Sequence, residues 1–230
     1  MAEIITSDSP AAQTRSLASF ESAAEMFQYA TLYVQAHRQH ELDDIWQTIL
    51  IASQTDITEH LFLKEYLWCV YVSGFSAQTI AKKYKALLCA HFIEDENQQP
   101  VKIEPSNVLD EAGLRGVYEI FRNKSKARAV QKTRKLILTC SWQPFYEEWI
   151  KPREPEKLMM LPNIGPALSC HLARNLGNLN VVKPDVHLVR LAKKYDFESV
   201  ADMCKHLSPT HPPGYTDLIL WIASRDNGTT

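Results

Sequence analysis

Residues Leu161–Arg190, LPNIGPALSCHLARNLGNLNVVKPDVHLVR, decide how the chain is read. The stretch Leu161-Pro162-Asn163-Ile164-Gly165 predicts a hairpin between two helices, with Pro166 suited to the first turn of the second. Such a turn calls for positive φ, which Gly165 adopts freely and Asn163 tolerates. Leu168, Leu172 and Leu176 then share a helix face, and Gly177 supplies a stop. Beyond Lys183-Pro184, the spacing of Leu188, Leu191, Ala192 and Tyr195 predicts another helix, which places Asp185 in its first turn, eighteen residues after Ala167. Backbone N–H groups along Asn163, Ile164, Gly165 and Ala167 can meet a phosphate, and Asp185, favoured as an anion by the helix dipole, can then face the sugar or base of the same nucleotide. On local grounds alone an ordinary capping aspartate is the better reading of that position.

Outward from this segment the pattern is helical. Phe20 to Ala36 and Asp43 to Ser53 read as amphipathic helices. Thr58 opens a longer one that is apolar on nearly every side, so the helix through Leu61, Leu63 and Leu67 to Val72 is expected to be the most buried. Gly74 interrupts it, and a helix resumes over Ala77 to Phe92. Residues 93–107 read as a polar surface loop, 107–121 and 124–139 as helices, and 140–156 as a connector containing Pro and Trp. An apolar helix over Leu218 to Ala223 follows His211-Pro212-Pro213-Gly214-Tyr215. No strand pattern and no Gly-rich nucleotide turn appears, so the fold class is all-α, without a Rossmann or P-loop site.

A chain of 230 residues, 45% of them hydrophobic, can bury one large core or two packed lobes. No apolar run approaches the roughly 20 residues of a membrane span, and MAEIITSDSPAAQTRS lacks the features of an export signal, so a cytoplasmic setting is expected. The five cysteines are scattered, which argues for reduced thiols over disulfides, structural zinc or an iron–sulfur cluster. A net charge of −2 gives no global nucleic-acid signature. A local one exists in RNKSKARAVQKTRK, from Arg122 to Lys135, which holds seven Lys or Arg and no acid. It is either a solvated helix face or a phosphate contact through residues such as Lys124 and Lys126.

These motifs together resemble the helix-hairpin-helix Gly/Pro-Asp superfamily of DNA glycosylases, endonuclease III-like in form. The family's LPGxG hairpin is matched by Leu161-Pro162-Asn163-Ile164-Gly165, and its D-x-H-hydrophobic-x-R run by Asp185, His187 and Arg190 at the same spacing. Asn123-Lys124-Ser125-Lys126-Ala127 is similar to its N-S-K-A helix start with one residue inserted, and Phe62 to Lys83 resembles its second helix. The resemblance implies a two-lobed helical fold: residues 60–178 as a helical barrel lobe ending in the hairpin, and 1–59 plus 179–230 as a second lobe carrying Asp185 at the cleft. It implies double-stranded DNA as partner, a monomer, an extruded nucleotide, and cleavage of an N-glycosidic bond with Asp185 as the catalytic group.

Departures from the family refine the expectation. Bifunctional members carry a lysine at the position of Ala167, so a monofunctional, water-using glycosylase without lyase activity is expected; Lys183 is either a substitute amine or a phosphate contact. The cysteine cluster of endonuclease III is missing, since only Cys204 follows the hairpin. No side-chain metal site and no cofactor is expected, apart from a monovalent cation held by the hairpin backbone. Trp68, Phe75 and Tyr215 are the candidates for base pocket or wedge, Phe75 foremost as the wedge, and His187 and Arg190 are supporting candidates. A transferase on the same scaffold, modifying a flipped pyrimidine as in phage thymine hypermodification, and a non-catalytic hairpin DNA-binding protein are the alternatives.

Overall fold

The computed structural model describes residues 15–228. The stretch read for an export signal lies almost wholly outside them, as do the first fourteen residues of the 1–59 segment. Among the described residues the chain is all-α, with a lone antiparallel bridge from Glu94 to Pro100. The helices are α1 (Ala23–His37), α2 (Gln39–Gln54), α3 (Glu59–Val72), α4 (Ala77–Ala90), α5 (Leu114–Ile120), α6 (Lys124–Cys140), α7 (Trp142–Phe145), α8 (Pro155–Leu158), α9 (Pro166–Asn175), α10 (Val186–Lys194), α11 (Val200–Leu207) and α12 (Pro213–Asn227). No helix among them is long and apolar enough to cross a membrane.

Apolar side chains gather in two clusters. In the first, α3 is central because it is apolar around its circumference: Phe62, Leu63, Tyr66, Leu67, Val70 and Tyr71 are all buried among α4, α5, α6 and α9. Each such burial stabilises by about 1.5–3 kcal/mol relative to exposure. Thr58 starts the helix by accepting the Leu61 N–H at 3.2 Å. The second cluster joins α1, α2, α10, α11 and α12 through Met26, Val34, Leu42, Leu188, Leu191 and Ile222.

Two elements differ from the sequence pattern. The helix expected over 107–121 shrinks to Leu114–Ile120, because polar side chains take the preceding backbone into turns: Asp110 Oδ1 accepts the Gly113 N–H at 2.8 Å, and Asn107 Oδ1 accepts the Glu104 N–H at 3.0 Å. The 140–156 connector is more regular than expected, with α7, a π-helical turn at Tyr146–Ile150 and the start of α8. The 93–107 loop is anchored by buried Ile93 and Ile103.

Where the ends of α2 and α9 meet, the chain demands glycine. Gly177 has φ +95°, and a Cβ there would lie 2.4 Å from the Ser53 backbone nitrogen. Alongside, the Arg153 guanidinium donates to the carbonyls of Ala52 (2.8 Å), Ser53 (3.1 Å) and Thr55 (2.9 Å), satisfying the C-terminal end of α2.

Candidate active site

The hairpin is built by Leu161 and Ile164, both buried, with Asn163 exposed at its tip. Positive φ falls on Asn163 (+60°) alone; Gly165 is extended at φ −93°, which corrects the expectation that it takes the left-handed turn. A Cβ at Gly165 would meet nothing within 4 Å, so glycine there leaves the backbone open to an approaching group. Ile164 is also corrected, because its N–H donates to Leu161 O at 3.1 Å and its side chain is in the core. The N–H groups of Gly165, Ala167 and Leu168 have no acceptor among the described residues and lie at the start of α9, an arrangement that suits a phosphate. The hairpin carbonyls of Leu161, Pro162 and Gly165 each accept one hydrogen bond, from Ile164 N–H, the Tyr66 hydroxyl (2.6 Å) and Ser169 N–H.

The start of α6 lies against this hairpin, since the Ser125 hydroxyl is 3.4 Å from the Asn163 amide. Lys124 there is exposed. Lys126, expected on the DNA side, is instead buried: its Nζ donates to Val70 O and, at 2.8 Å, to Ser73 O, capping the C-terminal end of α3. Two more of the basic run are used internally. Arg134 is fully buried on Phe92 O and Asn107, and Arg128 pairs with Glu111. Arg122, Lys124, Lys132 and Lys135 remain as the exposed cations of the run that make no ion pair among the described residues.

Next to Lys126 stands Phe75, 44% exposed after Gly74, which has φ +75°. Its ring meets Phe121 edge-on at 4.9 Å and lies 5.5 Å from Lys126 Nζ. The hairpin, Lys124 and Phe75 therefore lie along connected parts of the chain around the first cluster.

Asp185 caps α10, its Oδ1 accepting the N–H groups of His187 and Leu188, each at 3.0 Å. Below the cap, Leu188 and Leu191 are buried, while Val186, Val189 and Arg190 face outward. Arg190 makes no hydrogen bond or ion pair with the Asp185 carboxylate among the described residues; the backbone N–H groups of His187 and Leu188 hold that carboxylate.

Between the two clusters lies a cavity of about 460 Å³. Trp68, Tyr84 and Trp221 line it together with the aliphatic residues of α2 and α4, and its polar wall contains Glu65, His171, Asn175 and Lys183. Trp68 meets Tyr84 edge-on at 5.3 Å. Tyr215 is absent from this wall; half-buried, it packs at the edge of the second cluster against Trp46 (5.0 Å) and the exposed His211 (5.1 Å), so it does not line this cavity. Asp185 itself is not in the wall, but Lys183, two residues earlier, is. Burial pulls the Lys183 amine below its ordinary value, with the Asp185 carboxylate partly opposing. Its Nζ makes no hydrogen bond or ion pair among the described residues.

A buried pair fixes this segment. Arg174 on α9 bonds directly to Asp217 Oδ2 on α12, and the same oxygen accepts the Lys183 N–H at 2.9 Å. Burial pushes the Asp217 carboxyl up, while the Arg174 guanidinium and the Lys183 N–H hold it down. Sequence reasoning missed Glu65, Asn175, His171, Arg174 and Asp217. One signal was present: Lys64-Glu65 interrupts an otherwise apolar helix, where a charge needs a partner or a purpose.

No protein-family model and no curated protein matches the chain. Among solved structures it is similar to the 8-oxoguanine DNA glycosylase of Thermotoga maritima, with a TM-score of 0.62 at 16% identity, over 90% of this chain and 98% of that one. At that identity the likeness is one of architecture, and the chain has an all-helical DNA glycosylase fold.

Proposed function

We propose that the protein is a monofunctional DNA N-glycosylase that flips a damaged or modified base into the cavity between its lobes and releases it. The observation that carries this reading is the aromatic-lined cavity, with Lys183 on its wall and Asp185 two residues on at the head of α10. The duplex is held by the α9 N-terminus and by Lys124, Phe75 wedges into the stack, and the lost stacking, a few kcal/mol, is offset by these contacts. Departure of the base leaves positive charge at C1′, which the Asp185 carboxylate stabilises while water attacks. The lobes are those of residues 60–178 and of 1–59 with 179–230, and the enzyme works as a monomer on DNA in the cytoplasm. The second lone pairs of the hairpin carbonyls can hold a monovalent cation. Alkali-sensitive nicking of duplexes carrying uracil, oxidised guanine, alkylated purines or 5-hydroxymethyluracil tests the activity: at least one is nicked by the wild type, and nicking of none contradicts the reading.

The DNA face has its own test. Lys124→Ala is expected to lower the slope of log affinity against log salt by about 0.9, the effect of one phosphate contact. Lys126→Met should leave that slope unchanged, because its amine is spent on α3. Fluorescence anisotropy over a salt series reads both, and equal slope changes would contradict the assignment.

The position of the Lys183 amine favours a second reading, in which it attacks C1′ itself and forms a Schiff base. Under the preferred reading, borohydride traps no protein–DNA adduct. An adduct formed by the wild type and lost in Lys183→Gln would establish the lyase instead.

A further inference from the structure

Glu65 is a carboxyl without a cation. It lies in the cavity wall, its Oε2 accepts the Asn175 amide at 2.8 Å, and no ion pair forms to it among the described residues. The adjacent Lys64 turns away to Glu94 at 2.8 Å, and Arg174 is taken by Asp217. Facing the same cavity are Asp44 on α2, Tyr84 on α4, His171 on α9 and Lys183. Desolvation pushes the Glu65 carboxyl up, outweighing the Asn175 hydrogen bond and the charges of Lys64 and Arg174.

A second group points to a ligand. His171, one turn along α9 from Ala167, is only 7% exposed, lines the cavity, and leaves Nδ1 without a hydrogen-bond partner. Burial keeps its imidazole neutral. An unpaired buried polar atom is costly unless something fills the site. The polar wall thus offers a carboxyl and a neutral imidazole beside aromatic rings, which is the chemistry of a heterocycle site.

We propose that Glu65 is a further catalytic residue, the acid that protonates the flipped base as its glycosidic bond breaks. The inference rests on the glycosylase reading and divides the work between two carboxyls in different environments. When the C1′–N bond breaks, its electron pair stays with the base, and the Glu65 O–H proton moves to the ring nitrogen or carbonyl oxygen that takes that charge. Water adds its oxygen to C1′ and gives a proton to the Asp185 carboxylate. Release of that proton to solvent and uptake of one by Glu65 restore both groups. The substrate class follows: neutral bases, which leave poorly without a proton. Bases that already carry a positive charge or are electron-poor need Glu65 less.

Single-turnover release from duplexes carrying uracil against 5-fluorouracil, and hypoxanthine against 7-methylguanine, tests this with wild type, Glu65→Gln and Glu65→Asp. For the pair that the wild type releases, Glu65→Gln is expected to slow the poorer leaving group by about 10²-fold or more and the better one by less than about 10-fold. The wild-type rate should fall as rising pH deprotonates Glu65; Glu65→Gln should lose that limb and Glu65→Asp retain it. Equal slowing of both members with an unchanged pH limb overturns the role of Glu65 alone. No release of any base by the wild type overturns the glycosylase reading and this inference with it.

Discussion

Asp185→Asn is expected to lower single-turnover base release by about 10³-fold while leaving the protein folded, in line with the loss of one electrostatic stabiliser at a reacting centre. The two effects separate because the residue has two jobs. As a cap, Asp185 accepts the His187 and Leu188 N–H groups through Oδ1, and an asparagine carbonyl can do the same. The stability change is then limited to the lost charge at the helix N-terminus, about 0.3–1 kcal/mol. As a reacting group, asparagine can neither balance positive charge at C1′ nor accept a proton from water. Parallel measurement of release rate and urea midpoint distinguishes the roles. A variant that releases base at near the wild-type rate would reduce Asp185 to its cap.

The largest expected stability effect is at Asp217. Truncation to alanine leaves the Arg174 guanidinium buried without its counter-charge and the Lys183 N–H without its acceptor. Breaking such a buried pair costs roughly 3–5 kcal/mol. For a protein of this size that amounts to a fall in Tm on the order of 10 °C. The double variant Arg174→Met with Asp217→Leu removes both charges and should regain most of the loss, because a buried pair is often replaceable by apolar groups. Base release should stay impaired in the double variant, since the Lys183 backbone remains unheld and Asp185 is two residues away. Urea denaturation of the single and double variants reads the coupling. Additive losses would mean that the two side chains act independently.

The local features of the fold were legible because they are written in short-range chemistry. Thr58, Asn123 and Asp185 each cap a helix at the position their side chains favour, and Gly177 ends α9 where a Cβ would strike α2. The hairpin was legible as a whole but not in detail. Its left-handed residue is Asn163, and Gly165 serves open backbone. Tertiary placement was not legible. Lys124 and Lys126 are near neighbours in one basic run, yet only the approach of the α3 C-terminus draws Lys126 inside. Arg134 is drawn in likewise by Phe92 and Asn107. The polar wall of the cavity comes from α2, α3, α9 and the segment before α10, so its members share no motif. His171 and Arg174 could be noticed only as polar residues interleaved with the leucines of α9. Tyr215 illustrates the reverse case, an aromatic expected at the base pocket that packs against Trp46 at the edge of the second cluster instead.

The central claim is cleavage of a glycosidic bond in the cavity beside Asp185, and mass spectrometry of products from a lesion-bearing duplex tests it most directly. The prediction is a free base of unchanged mass together with an intact abasic strand, both formed about 10³-fold more slowly with Asp185→Asn. A base that gains mass while still attached to its sugar, or a duplex bound and left unaltered on every lesion, would contradict it.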